Sequence, residues 1–339
     1  MTLRDDDCID LGHGAGGRAM VRLVQQEFVA AFDNPFLAQG DDGAVLPPAA
    51  GRLVMATDAH VVAPLFFPGG DIGALAVHGT LNDVAAMGAQ PLHMAASFII
   101  EEGLRVGDLR RIVRSMALAS GSANVPIVTG DTKVVPRGQG GGLYITTTGV
   151  GQLANGIDVR GNRAQPGDAV LVTGPVGDHG TAIVCARESL GLDAPVQSDS
   201  AALHTLVQQL LSQVPEVHVL RDPTRGGLAA TLNEIAHQSH VGLVLHEATI
   251  PVRPAVRAAC ALLGLDPLDM ACEGRMVVIC PATAVARALD TLRTHPLGRE
   301  SVCIGEVVAD DRCFVQMQTP IGGRRLVHWL SGDPLPRIC

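Results

Sequence analysis

Six aspartates offer the most chemistry in this sequence: Asp41, Asp42, Asp58, Asp83, Asp131 and Asp222. Asp58, in Thr57-Asp-Ala-His60, and Asp131, in Gly130-Asp-Thr-Lys133, each follow an apolar run. There a strand is expected to open onto a loop, a position that favours sites over packing. Asp41 and Asp42 sit in Gly-Asp-Asp-Gly, which ordinary turn chemistry also explains. Asp83 lies inside an apolar helical pattern, where a carboxylate needs a cation or hydrogen-bond donors. A metal ion is the favoured partner, and a buried, hydrogen-bonded aspartate is the alternative. Ligands that are all oxygen suit Mg2+, which normally works with substrate phosphates. Lys133, Arg225 and the glycine-rich run Leu11-Gly-His-Gly-Ala-Gly-Gly17 add positive side chains and backbone N–H groups suited to phosphate. The run has neither Walker A nor dinucleotide spacing, so a plain flexible lead-in explains it equally.

The second feature is the end of the sequence, residues 331–339, Ser-Gly-Asp-Pro-Leu-Pro-Arg-Ile-Cys. Two prolines and a glycine forbid a helix or a central strand, so an extended, flexible tail is expected. Its reach of roughly 30 Å would cross a domain face. It is either a frayed end with an incidental thiol or an arm that carries a chemical group on Cys339 into a site. The eight cysteines contain no Cys-x-x-Cys pair and the histidines no His-x-x-x-His spacing, so a structural Cys/His metal site is not expected.

These residues need elements to hold them. The spacing predicts helices over 18–32, 72–88, 106–123, 180–190, 201–213 and 228–238, with another inside 281–293. Thr224 is placed to cap the helix at 228. The helix over 72–88 is apolar on nearly every face, so it should be buried all round. Strands are expected at 44–46, 53–56, 92–100, 126–129, 144–150, 169–173, 243–246, 275–280, 303–308 and 313–318. At 339 residues two domains are the default, and the Gly/Asn/Arg/Pro-rich stretch around 151–168 marks the boundary. The expected division is 1–155, 156–330 and the tail 331–339, in an α+β class of mixed α/β layers. A net charge of −9 argues against nucleic-acid binding. The acidic start and the lack of a long apolar run imply a cytoplasmic protein with no membrane span.

Several motifs carry a family resemblance. Asp-Asp-Gly-Ala at 41–44, Thr-Asp at 57–58, Leu-Asn-Asp-Val-Ala-Ala-Met-Gly-Ala at 81–89 and Gly-Asp-Thr at 130–132 resemble the ATP-binding superfamily of aminoimidazole ribonucleotide synthetase. More narrowly, the chain is similar to the HypE family of hydrogenase maturation proteins. The motifs that carry this are His13-Gly-Ala-Gly-Gly-Arg-Ala-Met20, Pro64-Leu-Phe-Phe-Pro-Gly-Gly-Asp71, Val128-Thr-Gly-Asp-Thr-Lys-Val-Val135, Asp222-Pro-Thr-Arg-Gly-Gly227, Ala271-Cys-Glu-Gly274 and Pro336-Arg-Ile-Cys339.

The resemblance implies a two-domain aminoimidazole ribonucleotide synthetase-like fold, homodimers formed through the N-terminal domain, and the cofactors ATP and Mg2+. It implies a carbamoyl group placed on Cys339 by HypF, its ATP-dependent dehydration to a thiocyanate, and passage of the cyanide to iron on a HypC–HypD complex. Carried over by motif, Asp41, Asp58, Asp83 and Asp131 would hold metal. Asp222 and Asn82 would join Asp41, Asp58 and Asp131 at the nucleotide, and Gly14, Gly16 and Gly17 would cover its phosphates. Glu273, as the base, and Lys133 would sit beside the carbamoyl group, although a turn glutamate before a strand is more often only solvated. A selenophosphate synthetase would need a reactive residue and a lysine beside the N-terminal loop, and Cys8 lacks that lysine. A kinase of the thiamine monophosphate type has no use for a terminal thiol. A metallochaperone would need clustered soft ligands.

Overall fold

The computed structural model describes residues 2–39, 41, 43–188, 196–329 and 338–339. Asp42, the end of the helix expected to reach 190, and tail residues 331–337 with their prolines lie outside the described residues.

The glycine-rich run forms a 3-10 turn, Leu11–Gly14, capped by Asp10, and leads into α1 (Arg18–Leu23). A π-helical turn, Val24–Val29, joins α1 to α2 (Ala30–Phe32), so the expected helix over 18–32 is present with a widened middle. That turn buries Glu27, whose carboxylate takes both prongs of the Arg110 guanidinium at 2.7 and 2.9 Å.

Next come β1 (Arg52–His60), a two-residue ribbon of β2 (Phe66–Phe67) and β3 (Gly70–Asp71), and α3 (Ile72–Ala86). Asp71 caps α3 by accepting from the Gly73 and Ala74 amides at 2.8 and 3.1 Å. β4 (Gln90–Glu101), α4 (Val106–Ala123), β5 (Ile127–Val135) and β6 (Leu143–Leu153) complete a four-stranded sheet in the order β1-β6-β4-β5. Only β4 and β5 run parallel, because α4 supplies the crossover between them. The α3 and α4 helices pack on one face of this sheet.

Three expectations change here. Residues 44–46 form no strand, because Pro47-Pro48 follows at once and removes the N–H donors a ladder needs. Asp58 and Asp131 lie inside β1 and β5, not at strand ends. Gly130-Asp131-Thr132 reads as a turn, yet pairing with β4 holds it extended. Gly130 permits this, since a Cβ there would come within 2.3 Å of the Ala96 carbonyl oxygen.

The second half holds β7 (Asp168–Val172), α5 (Asp178–Arg187), α6 (His204–Gln213), β8 (Val219–Arg221), α7 (Gly227–Ser239), β9 (Gly242–His246) and α8 (Pro254–Leu263). It continues with β10 (Val277–Pro281), α9 (Val285–Thr294), β11 (Val302–Val308), β12 (Val315–Gln318) and β13 (Arg324–Leu326). The seven-stranded sheet runs β13-β12-β9-β11-β7-β10-β8. Every residue of β7 is buried: Val170 and Val172 face α7, while Ala169 and Leu171 face α6 and α9. Burial on both faces explains why this strand reads as a continuous apolar run. Thr224 does not cap α7 with its side chain. Left-handed Gly226 (φ 77°) takes the cap position, and the Thr224 carbonyl accepts from the Gly227 amide at 2.9 Å.

Mixed helix and sheet in two domains give the α+β architecture that the sequence suggests. Asn82 joins the halves. Fully buried on α3, its side-chain amide donates to the carbonyls of Ala201 (3.0 Å) and Glu273 (3.1 Å) and accepts from the Leu203 amide (2.8 Å). Replacing Asn82 with alanine leaves three backbone groups short of a partner, those of Leu203 and Glu273 buried. A loss of about 2–4 kcal/mol is expected, read as a lower denaturant midpoint with unchanged slope. Similarly, a Cβ at Gly73 would meet the Ile112 carbonyl at 2.4 Å where α3 crosses α4. Gly73→Ala is expected to cost about 1–3 kcal/mol by overpacking, measured the same way.

Candidate active site

The candidate site is a cavity of about 980 Å³ where β1 and α3 meet the segment between β8 and α7. Asp83 reaches it from α3, Asp222 and Arg225 from the Asp-Pro-Thr-Arg-Gly-Gly segment, and Cys339 from the end of the sequence. Asp58 points toward the same side from β1, next to buried His60. Gly79 on α3 makes room for both, since a Cβ would lie 2.8 Å from His60 Nε2 and 3.3 Å from Asp58 Oδ2. His60 Nε2 is 3.2 Å from Asp58 Oδ2, close enough for charge pairing but off the hydrogen-bond direction.

These carboxylates crowd one another. Burial pushes Asp83 up to about 7, and the charges of Asp222 and Asp58 add to that. Burial raises Asp222 to about 6, again with Asp58 contributing. Glu273, just before β10, rises well above the usual range, first through burial and then through Asp222, Asp199, Asp58 and Asp83. Asp58 goes the other way: burial would raise it, but His60, the Ala59 amide and Arg225 together leave it lowered. Glu273 is therefore not a solvated turn residue. It is buried, its amide donates to Asp199 Oδ1 at 3.0 Å, and its carbonyl accepts from Asn82.

The end of the sequence is docked here on its own chain. Ile338 is buried, its carbonyl 2.9 Å from His179 Nε2, and the Val61 amide donates to the main-chain oxygen of Cys339 at 3.0 Å. Burial pushes the Cys339 thiol up to about 12, with Glu273 and Asp58 reinforcing the rise and the adjacent Arg225 guanidinium opposing it. The sulfur thus rests as a thiol among carboxyl groups with one cation beside it.

The remaining candidates are placed elsewhere. Asp131 and Lys133 pair at 2.9 Å on the opposite, open face of the four-stranded sheet, because alternation along β5 turns buried Thr132 toward the helices and its neighbours outward. Within one chain Lys133 does not meet Glu273, nor Asp131 the other acids. Asp41 is exposed outside the cavity lining. Gly14 packs against Val134 of β5, and Gly16 and Gly17 lie exposed ahead of α1. The Asn82 amide makes three hydrogen bonds within the chain, joining the two halves.

Among the described residues, no three His, Cys, Asp or Glu side chains are arranged to hold a metal ion by themselves. A crowd of hard oxygen donors with raised pKa values nevertheless fits a divalent cation whose remaining ligands come from phosphate and water. The motifs did not flag Arg160, Arg221 and Trp329, which also line the cavity, or His179. An Asp-His pair opening an apolar helix was the only trace of His179 in the sequence.

Comparison with known proteins identifies the family. A family model described as AIR synthase related protein, N-terminal domain, matches residues 40–153, and its C-terminal counterpart matches residues 165–318. Carbamoyl dehydratase HypE of Cupriavidus necator is 63% identical over 332 residues, covering 98% of this chain and 95% of that protein. The Escherichia coli protein of the same name is 45% identical over 336 residues, covering 98% and 99%. A crystal structure of the hydrogenase maturation protein HypE in complex with ATP superposes with a TM-score of 0.94 at 48% identity, covering 97% and 99% of the two chains. A HypE–HypF complex contains a chain with a TM-score of 0.80 at 44% identity, covering 90% and 99%. A thiamine-monophosphate kinase structure from Stenotrophomonas maltophilia, at 21% identity and TM-score 0.62 over 88% of this chain and 95% of that one, shares the fold. The chain belongs to the AIR synthase related family and, within it, to the HypE carbamoyl dehydratases of hydrogenase maturation.

Proposed function

We propose that the protein is an ATP-dependent carbamoyl dehydratase whose substrate is a carbamoyl group on its own Cys339. The observation that carries this reading is the docked end of the sequence, which sets the Cys339 sulfur beside Arg225 and buried Glu273. The carbamoyl oxygen is a poor leaving group. Transfer of the γ-phosphoryl group of ATP to that oxygen, with loss of one N–H proton, makes a phosphate ester. Removal of the second N–H proton, with departure of phosphate, forms the C≡N bond. The products are a thiocyanate on sulfur, ADP and phosphate.

Arg225 is suited to hold the carbamoyl or phosphate oxygens, since its guanidinium already lies against the sulfur. Glu273 is suited to take the nitrogen proton, because its raised affinity for protons makes it a strong base once nearby positive charge lets it ionise. Asp58, Asp83 and Asp222 would hold Mg2+ with the ATP phosphates, and the ion would supply charge neutralisation for phosphoryl transfer.

The further assignments rest on the family. HypF is the proposed carbamoyl donor, and a HypC–HypD complex the proposed acceptor of cyanide. A homodimer formed through the N-terminal domain is supported by the open face of the four-stranded sheet, where Leu53 is 65% and Met55 74% exposed. Such pairing would bring Asp131 and Lys133 of that face to the interface. The proposed division is 1–155 for nucleotide and dimer, 156–330 for the second domain and 331–339 for the arm that delivers the thiol.

Two variants test the chemistry. Cys339→Ala is expected to fold and bind ATP, yet after incubation with the carbamoyl donor to show neither the carbamoyl adduct nor its dehydrated product by intact mass. Thiocyanate formation by this variant would sink the reading. Glu273→Gln keeps the shape and removes the base. Its single-turnover dehydration is expected to slow by about 10²–10⁴-fold with ATP affinity preserved, and an unchanged rate would exclude Glu273 as the base.

A further inference from the structure

His179 is wholly buried in α5, and its two ring nitrogens face two fixed partners. Nδ1 lies 2.8 Å from Ser198 Oγ and Nε2 lies 2.9 Å from the Ile338 carbonyl oxygen. A carbonyl only accepts, so Nε2 must carry the proton. Nδ1 is then bare and accepts from the Ser198 hydroxyl, whose oxygen in turn accepts from the Ser200 amide at 3.1 Å. The relay fixes one tautomer of a neutral ring. Burial also holds the ring neutral, lowering its pKa against the opposing pull of the Ile338 carbonyl.

The ring itself cannot swing. Phe67 meets it edge-on with centroids 5.5 Å apart, and the Ser198 amide is tied to the Pro68 carbonyl at 2.8 Å. On the other side of the docked segment, Val61 holds the Cys339 main-chain oxygen. Holding main-chain oxygens of two adjacent residues limits how the segment can turn and so the directions in which the Cys339 side chain can leave it.

We infer that His179 is a positioning residue, a buried latch that binds the penultimate carbonyl of the docked segment and thereby aims the Cys339 sulfur at Arg225 and Glu273. It touches neither the sulfur nor the site carboxylates, so it acts only through the segment it holds. The inference rests on the reading of Cys339 as a tethered substrate. The test below needs neither ATP nor a carbamoyl group, so failure of the latch and failure of the dehydratase reading register in different assays.

The experiment is alkylation of the unmodified full chain by iodoacetamide at fixed pH, followed residue by residue by mass spectrometry. The probe reads how often Cys339 leaves its docked position, while fully buried Cys272 and Cys280 serve as internal controls for general loosening. Loss of one hydrogen bond to the docked segment is expected to raise Cys339 labelling about five- to tenfold in His179→Leu. His179→Gln can still place an N–H near the Nε2 position and is expected to return labelling to within about twofold of the parent. Both variants lose the Ser198 contact, so the difference between them isolates the bond to Ile338. Parental labelling in His179→Leu, or labelling in His179→Gln as fast as in His179→Leu, overturns the inference. If His179→Leu exposes Cys272 and Cys280 as well, His179→Phe decides, because it fills the ring's place in the core and has no N–H for the Ile338 carbonyl. Faster labelling confined to Cys339 supports the latch, and a parental rate overturns it.

Discussion

The structure depends on one electrostatic constraint: several carboxyl groups are held together, partly out of water, with too little positive charge among them. Asp222 raises the proton affinity of Asp83 and Glu273, Asp83 adds to that of Glu273, and His60, a backbone amide and Arg225 lower that of Asp58 against its burial. Left alone, such a cluster destabilises the fold, because burial of like charges is unfavourable. The surrounding architecture keeps it in place. Asn82 ties α3 to the backbone of Glu273, and Gly79 clears space for His60 and Asp58. A divalent cation among these carboxylates would offset that cost, which is the charge the donor set fits.

The two sheets play unequal parts. The seven-stranded sheet is covered on both faces and serves as a rigid base from which the segments bearing Asp222 and Glu273 project. The four-stranded sheet is covered by helices on one face only and leaves Leu53, Met55 and Ile99 in solvent on the other. That asymmetry puts Asp58 on the packed side and Asp131 on the open side, though both aspartates end similar-looking runs in the sequence.

How legible the site was follows from the same geometry. The long helices were readable because apolar spacing reports a buried face directly: α4 spans the expected 106–123, and the all-round apolar pattern of α3 correctly marked Asp83 as a carboxylate in costly surroundings. Periodicity could not reveal what an amide does once buried, so the joint that Asn82 makes between the two halves left no mark in the sequence. It could not place Asp131 and Lys133 either, because Gly130-Asp-Thr-Lys133 has the composition of a turn and only pairing with β4 makes it a strand. His179 left almost no trace, since a histidine in an apolar helix usually means packing, and its partner Ile338 is 159 positions away. Short elements such as β8 and β13 were invisible for a related reason: three residues carry too little pattern to stand out.

The raised pKa of the docked thiol bears on how the protein survives between reactions. Oxidants and stray electrophiles attack the thiolate, and a sulfur with its pKa near 12 holds almost none at neutral pH. The burial that raises this thiol therefore also disfavours sulfenic acid formation and mixed disulfides at the docked sulfur.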